Sequence, residues 1–96
     1  MKVEFDREAL AEFVEAAAHY AECSPALRHR FEHAVEHAVR RIAEQPHLYP
    51  AMRGDVRRCP LSTFPYSVLY AVQGDLVFVI AVMHGKRDPD SWLGRR

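Results

Sequence analysis

The sequence predicts an α+β domain: an N-terminal strand, an antiparallel αα-hairpin and then a three-stranded antiparallel meander, with the helices packed on one face of a small curved sheet. Three observations carry this expectation. Residues 2–5 alternate polar and apolar, two long stretches repeat apolar residues at helical spacing, and residues 64–83 are rich in β-branched and aromatic side chains around one glycine turn. The 96 residues are read as one domain, 1–96, large enough for a single modest core and holding no internal repeat or linker.

Lys2-Val3-Glu4-Phe5 suits a short strand with Val3 and Phe5 turned to a core. Asp6 follows as a helix N-cap, and Glu8 puts favourable charge in the first turn. Behind it, Leu10, Phe13, Val14, Ala17, Tyr20 and Ala21 recur at helical spacing, so Glu8, Glu12, Glu15 and Glu22 are assigned to a solvated surface. Ser24-Pro25 is a second start signal, a capping hydroxyl before a proline at the first helical position. From there Leu27, Phe31, Ala34, Val35, Ala38, Val39 and Ile42 trace one apolar stripe, and Pro46 stops the helix. So few residues separate the helices that they must form an antiparallel hairpin.

Residues 46–54 carry two prolines and a glycine and are expected to be a connecting loop. Val56 to Leu61 reads as a strand that Pro60 confines to an edge or a strand end. Phe64 to Val72 and Leu76 to Met83 flank Gln73-Gly74-Asp75 as a hairpin, and the second strand is apolar on both faces, which places it inside the sheet. Asp88-Pro89-Asp90-Ser91-Trp92-Leu93 reads as one helical turn that folds Trp92 onto the core. Gly94-Arg95-Arg96 is expected to be a frayed basic end.

Charge sets bounds on partners. The 13 cations and 13 carboxylates cancel, which removes the bulk signature of a nucleic-acid binder. The sum hides an uneven distribution: residues 1–45 hold six cations against nine carboxylates, and residues 46–96 hold seven against four. There is no apolar signal core and no run long enough to cross a bilayer, so a cytoplasmic protein with no membrane partner is expected. Cys23 and Cys59 lack CxxC spacing and are expected as free thiols. His29, His33 and His37 recur at i, i+4 along the second helix. A pair at that spacing can chelate Zn²⁺, but no Cys or carboxylate motif completes a site, so they are read as a solvated face and no metal or cofactor is expected.

Two stretches concentrate chemistry. Arg53-Gly54-Asp55-Val56-Arg57-Arg58 is dense in guanidinium groups, the side chain for bidentate capture of phosphate or carboxylate, and could hold an RNA backbone or an acidic protein partner. The other is Val79 to Pro89, an apolar strand that ends in His84, Gly85, Lys86 and Arg87. His84 could act as a general acid or base with Arg58 or Arg87 stabilising a phosphorane, or it could cap the strand end by hydrogen bonding. No second proton-transfer group is evident beside it, which favours the cap and leaves Lys86 and Arg87 as part of a binding edge.

The order of elements, together with Phe64-Pro65-Tyr66-Ser67-Val68-Leu69-Tyr70 and Val82-Met83-His84-Gly85-Lys86-Arg87-Asp88-Pro89 followed by Trp92, resembles the RelE/ParE superfamily of type II toxin–antitoxin toxins. The match spans nearly the whole chain. Members of the RelE kind are ribosome-dependent mRNA interferases with a strongly basic surface, catalytic lysines or a Glu-Arg-His set, and often a C-terminal tyrosine. This chain has two lysines, Lys2 and Lys86, a neutral sum and Trp92 near its end. Those departures favour the ParE-like branch, whose members are known for inhibiting DNA gyrase, and argue against an enzyme; an enzyme here would be a metal-independent endoribonuclease.

The resemblance therefore implies a toxin neutralised by a cognate antitoxin in a hetero-oligomer, with DNA gyrase as target and the ribosome with its mRNA as the alternative. A third reading is a non-toxic, degenerate plasmid-maintenance binding module. The partner-binding candidates are Arg53, Arg57, Arg58, Lys86 and Arg87, and no residue is assigned as catalytic; Arg58, His84 and Arg87 would be the working set of a nuclease. The antitoxin is expected to lay a helix in an apolar groove and to add a strand to the sheet edge. An acidic tail on it would complement Arg53, Arg57, Arg58 and Arg87.

Overall fold

The computed structural model describes residues 1–95. In chain order the elements are β1 (Lys2–Phe5), α1 (Arg7–Cys23), α2 (Pro25–Glu44), β2 (Ala51–Arg53), β3 (Val56–Pro60), β4 (Tyr66–Gln73) and β5 (Leu76–His84). The strands make one sheet in the order β1-β5-β4-β3-β2. β1 lies parallel to β5, from Lys2 opposite Leu76 to Phe5 opposite Val79, and every other pair is antiparallel. The helical hairpin packs on one face, as the sequence predicts.

The helix starts follow from local chemistry. Asp6 accepts hydrogen bonds from the Glu8 and Ala9 amides at 2.9 and 3.3 Å, and Ser24 Oγ accepts from the Leu27 amide at 3.0 Å. Each satisfies amides that the first turn of a helix leaves without intrahelical partners.

Three expectations are corrected. Residues 46–54 are not all loop, because β2 pairs with β3 through Ala51 opposite Arg57 and Arg53 opposite Val56. Both prolines precede this strand, and Gly54 takes the positive φ of +57° that the turn requires. The buried face of α1 is also rotated from the predicted stripe. Ala9, Ala16 and Ala17 are buried, whereas Leu10 and Val14 are 50% and 56% exposed. One residue is about 100° around a helix, so an apolar pattern wide enough to include Ala9 and Leu10 does not say which of them faces the sheet. Alanine does, because α1 lies close over β5. The third correction is Arg95, which is packed rather than frayed; Arg96 of the same expected tail lies outside the described residues.

The core has two layers. On the helix side Phe31, Val35, Ala38 and Ile42 of α2 meet Val68, Tyr70, Val77, Val79 and Val82. Tyr20, Phe31, Phe64 and Tyr66 cluster there with ring centroids 5.0 to 6.2 Å apart. On the opposite face Leu69, Ala71, Ile80, Ala81 and Met83 are covered in part by Trp92, which is buried as expected. Tyr70 joins the sheet to the loop after α2: its hydroxyl donates to the Pro46 carbonyl at 2.7 Å, and burial pushes the phenol up to about 12.

Urea denaturation should separate the two faces of α1 and α2. Phe31→Ala is expected to cost about 3–5 kcal/mol and Leu10→Ala less than about 1 kcal/mol; equal losses would contradict the rotated stripe. Alkaline titration should expose Tyr70. Below pH 10.0 the phenol is protonated in both states, and from there to about pH 12 only the unfolded chain ionises, so stability falls across that window. Tyr70→Phe should flatten this fall while costing about 1 kcal/mol at neutral pH through the lost hydrogen bond.

Candidate functional site

β1 ends at Phe5, and the Asp6 amide makes its last hydrogen bond to β5, donating to the Val79 carbonyl at 2.8 Å. β5 continues to His84, so its last residues have no neighbouring strand on that side. Side chains take over. Glu12 on α1 accepts from the Val82 amide at 3.1 Å, and Arg95 donates to the Ile80 carbonyl at 3.2 Å. The two side chains are joined by a bidentate pair at 2.8 and 3.0 Å, and each is about nine-tenths buried. Arg95 Nε also lies 2.9 Å from a Glu8 oxygen as an ion pair, without the alignment of a hydrogen bond. The hydrogen bonds to Glu12 push the Arg95 guanidinium further up, so it stays charged.

The apolar periodicity of α1 places Glu12 on its solvated surface, whereas the structure turns it inward. The signal that could have placed it is its position between Ala9 and Ala16 on the small-residue face that approaches the sheet. Its partner is 83 residues away, beyond any periodicity.

Past the strand end the chain turns tightly. The Gly85 amide donates to the Pro65 carbonyl at 2.9 Å, the Lys86 amide to His84 Nδ1 at 3.0 Å, and the Arg87 amide to the His84 carbonyl at 3.0 Å. His84 thus makes the strand-end hydrogen bond expected of it, and its ring also stands edge-on to Tyr66 with centroids 5.1 Å apart. With Nδ1 accepting an amide proton, the neutral imidazole carries its own proton on Nε2.

The candidate cations separate into two groups. Arg53 is paired with Asp90 at 2.8 Å, and Arg57 donates to the Tyr49 and His47 carbonyls at 2.5 and 3.3 Å, so both serve the local structure. Arg58, His84 and Arg87 instead line one slot of about 180 Å³ with Ser67, Leu69, Met83 and Pro89. Arg58 Nε donates to Ser67 Oγ at 3.0 Å, which aims the guanidinium, and Arg87 lies 3.6 Å from Glu12 at the far rim. Among the described residues no carboxylate lines this slot, so two arginines and an imidazole share it with an apolar floor. That arrangement suits an anionic group carried on an apolar support. Lys86 is exposed beside it and does not line the slot.

A second surface is apolar. Phe5, Leu10, Phe13, Val35, Val39 and Ala43 line a groove of about 370 Å³ between the two helices, with Glu36 and Arg40 at its rim. Half-exposed Leu10 belongs to it, which accounts for the apolar residue that the core does not use. Among the described residues no cluster of side chains is suited to hold a metal ion, and no helix is long and apolar enough to cross a membrane.

Comparison with known proteins agrees with this geometry. The family model for the ParE toxin of the type II toxin–antitoxin system parDE matches residues 3–89. A solved structure of a chromosomal ParDE toxin–antitoxin system from P. aeruginosa contains a chain of similar fold, with a TM-score of 0.64 and 19% identity, covering 88% of this chain and 95% of that one. None of the curated proteins matches.

Breaking the Glu12–Arg95 pair should unfasten the terminal segment. Glu12→Ala and Arg95→Ala are each expected to cost about 3 kcal/mol in urea denaturation. The double variant should lose much less than the sum, and additivity would contradict the pair.

Proposed function

Since the chain belongs to the ParE toxin family of type II toxin–antitoxin systems, we propose that it acts by binding and inhibiting DNA gyrase and is silenced by a cognate antitoxin. The observation that carries a binding mode is the slot. It offers two arginines and an imidazole whose Nδ1 is already engaged, and among the described residues no partner for proton transfer lines it. Such a set captures an acidic side chain without needing to cleave anything. Arg58 and Arg87 are the contact residues of this reading, with Lys86 beside them; Arg53 and Arg57 shape the edge from behind.

The antitoxin is assigned to the apolar groove between α1 and α2, where a helix presenting apolar residues at i, i+3, i+4 and i+7 would cover Leu10, Phe13 and Val39. A second reading, an mRNA endoribonuclease, is favoured by one observation: Arg58, from a different strand, shares the slot with His84 and Arg87.

Purified protein should be tested for gyrase supercoiling and for translation in a cell-free system. The proposal expects supercoiling to be inhibited, with Arg58→Ala and Arg87→Ala each weakening inhibition about tenfold or more, His84→Ala weakening it less because it removes a neutral donor, and translation continuing. Arrested translation that His84→Ala restores would establish the endoribonuclease instead. No effect on either process would leave a binding module without toxicity.

A further inference from the structure

The outer side of α2 carries a second cationic surface, on the molecule's other flank from the slot. Arg30, His33, His37 and Arg40 follow one another at spacings of three, four and three residues and so lie in a row along one side of the helix, about 15 Å long. They line a groove of about 570 Å³ whose opposite wall is Ser62, Thr63 and Phe64 of the β3–β4 connection.

Three features distinguish this groove from an ordinary solvated helix face. First, Arg30, His33, His37 and Arg40 take part in no ion pair among the described residues, whereas neighbouring Arg28 and His29 are both held by Glu32 at 3.2 and 3.7 Å. Second, Ser62 and Thr63, whose hydroxyls have no hydrogen-bond partner among the described residues, line the same groove as the cations. Third, Thr63 holds a φ of +68°, a left-handed conformation that a β-branched residue adopts only under constraint. Strain of that kind concentrates at ligand-clamping turns.

We propose that this groove binds a run of consecutive phosphate groups, and that it binds them more tightly as pH falls. The arginines supply two permanent contacts. A protonated imidazole donates from both ring nitrogens and accepts from neither, so His33 and His37 add two more contacts when they carry charge. The charged and titratable groups facing them are Arg30 and Arg40 on either side, Glu36, the one carboxylate lining the groove among the described residues, and His29 at its end, which Glu32 holds together with Arg28; the connection 62–64 contributes no ionisable side chain. The phosphates can come from a single-stranded nucleic acid or from inorganic polyphosphate, which present the same chemistry to this row.

The test is fluorescence anisotropy with labelled oligothymidylate, with polyphosphate and polyglutamate as competitors. Affinity for the oligonucleotide should rise at least about tenfold from pH 8 to pH 6, and the slope of log K against log salt should steepen from about −1.4 to about −2.8 as contacts go from two to four. His33→Asn with His37→Asn should remove the pH dependence and leave the shallower slope; Arg30→Ala with Arg40→Ala should remove most binding. Circular dichroism checks that these exposed substitutions leave the fold intact. Binding of labelled polyphosphate in the same assay, with no binding of the oligonucleotide, would support the site with polyphosphate as its source. Polyglutamate competing as well as polyphosphate would overturn the assignment to phosphate. Binding that is insensitive to pH, or that is lost in Arg58→Ala, would overturn the assignment to this groove.

Discussion

The ion pair between Glu12 and Arg95 closes the part of β5 that β1 is too short to cover. An open strand end exposes amide and carbonyl groups that must find partners or recruit another chain. Here Val82 and Ile80 are served by a carboxylate and a guanidinium instead of a strand. Desolvating two charges is costly, and the bidentate geometry with two further backbone hydrogen bonds offsets that cost. The consequence reaches both layers of the core. Glu12 fixes α1 over β5, and Arg95 anchors the segment that lays Trp92 on the opposite face of the sheet. The same carboxylate draws in Arg87 at 3.6 Å, so the slot owes one of its cations to the residue that seals the edge.

Arginine has several roles in this chain, and its neighbours decide which. Arg57 satisfies loop carbonyls, Arg53 ties β2 to Asp90, and Arg95 is locked in the interior. Arg58 is aimed by Ser67 into the slot, and Arg30 and Arg40 on α2 have no ion-pair partner among the described residues. A neutral total is therefore compatible with local surfaces of one sign, because the carboxylates of α1 and the terminal segment neutralise the cations that the fold itself consumes. Those left over define where the molecule can meet an anion.

Much of the fold was legible because its signals are local. Asp6, Ser24-Pro25 and Gly74 each act on backbone groups within a few residues, and the β-branched run of β4 and β5 marks itself. What could not be read depends on distance. The pairing of β2 with β3 is weak and irregular, and its three exposed residues carry no alternation. The parallel partnership of β1 and β5 joins residues more than seventy positions apart. For the site, sequence named Arg58, His84 and Arg87 but could not show that they share a slot, nor that Arg53 and Arg57 are committed elsewhere. Glu12 was hidden among glutamates of the same helix because helical periodicity describes apolar faces and is silent about a charge turned inward.

The hydrogen bond from the Lys86 amide to His84 bears on what the slot can do. A general base needs a free lone pair directed at the proton it removes. The lone pair of Nδ1 is occupied, and the neutral ring holds its proton on Nε2, so as placed the imidazole donates. To act as a base it would have to release the amide that shapes the turn carrying Lys86 and Arg87. The aromatic neighbour offers no relief, since burial pushes the Tyr66 phenol up and keeps it protonated at neutral pH. Glu12, which lines a neighbouring cleft with His84, is held by Arg95 and the Val82 amide. A donor imidazole between two arginines needs no rearrangement to hold an anion, and that economy supports binding over cleavage.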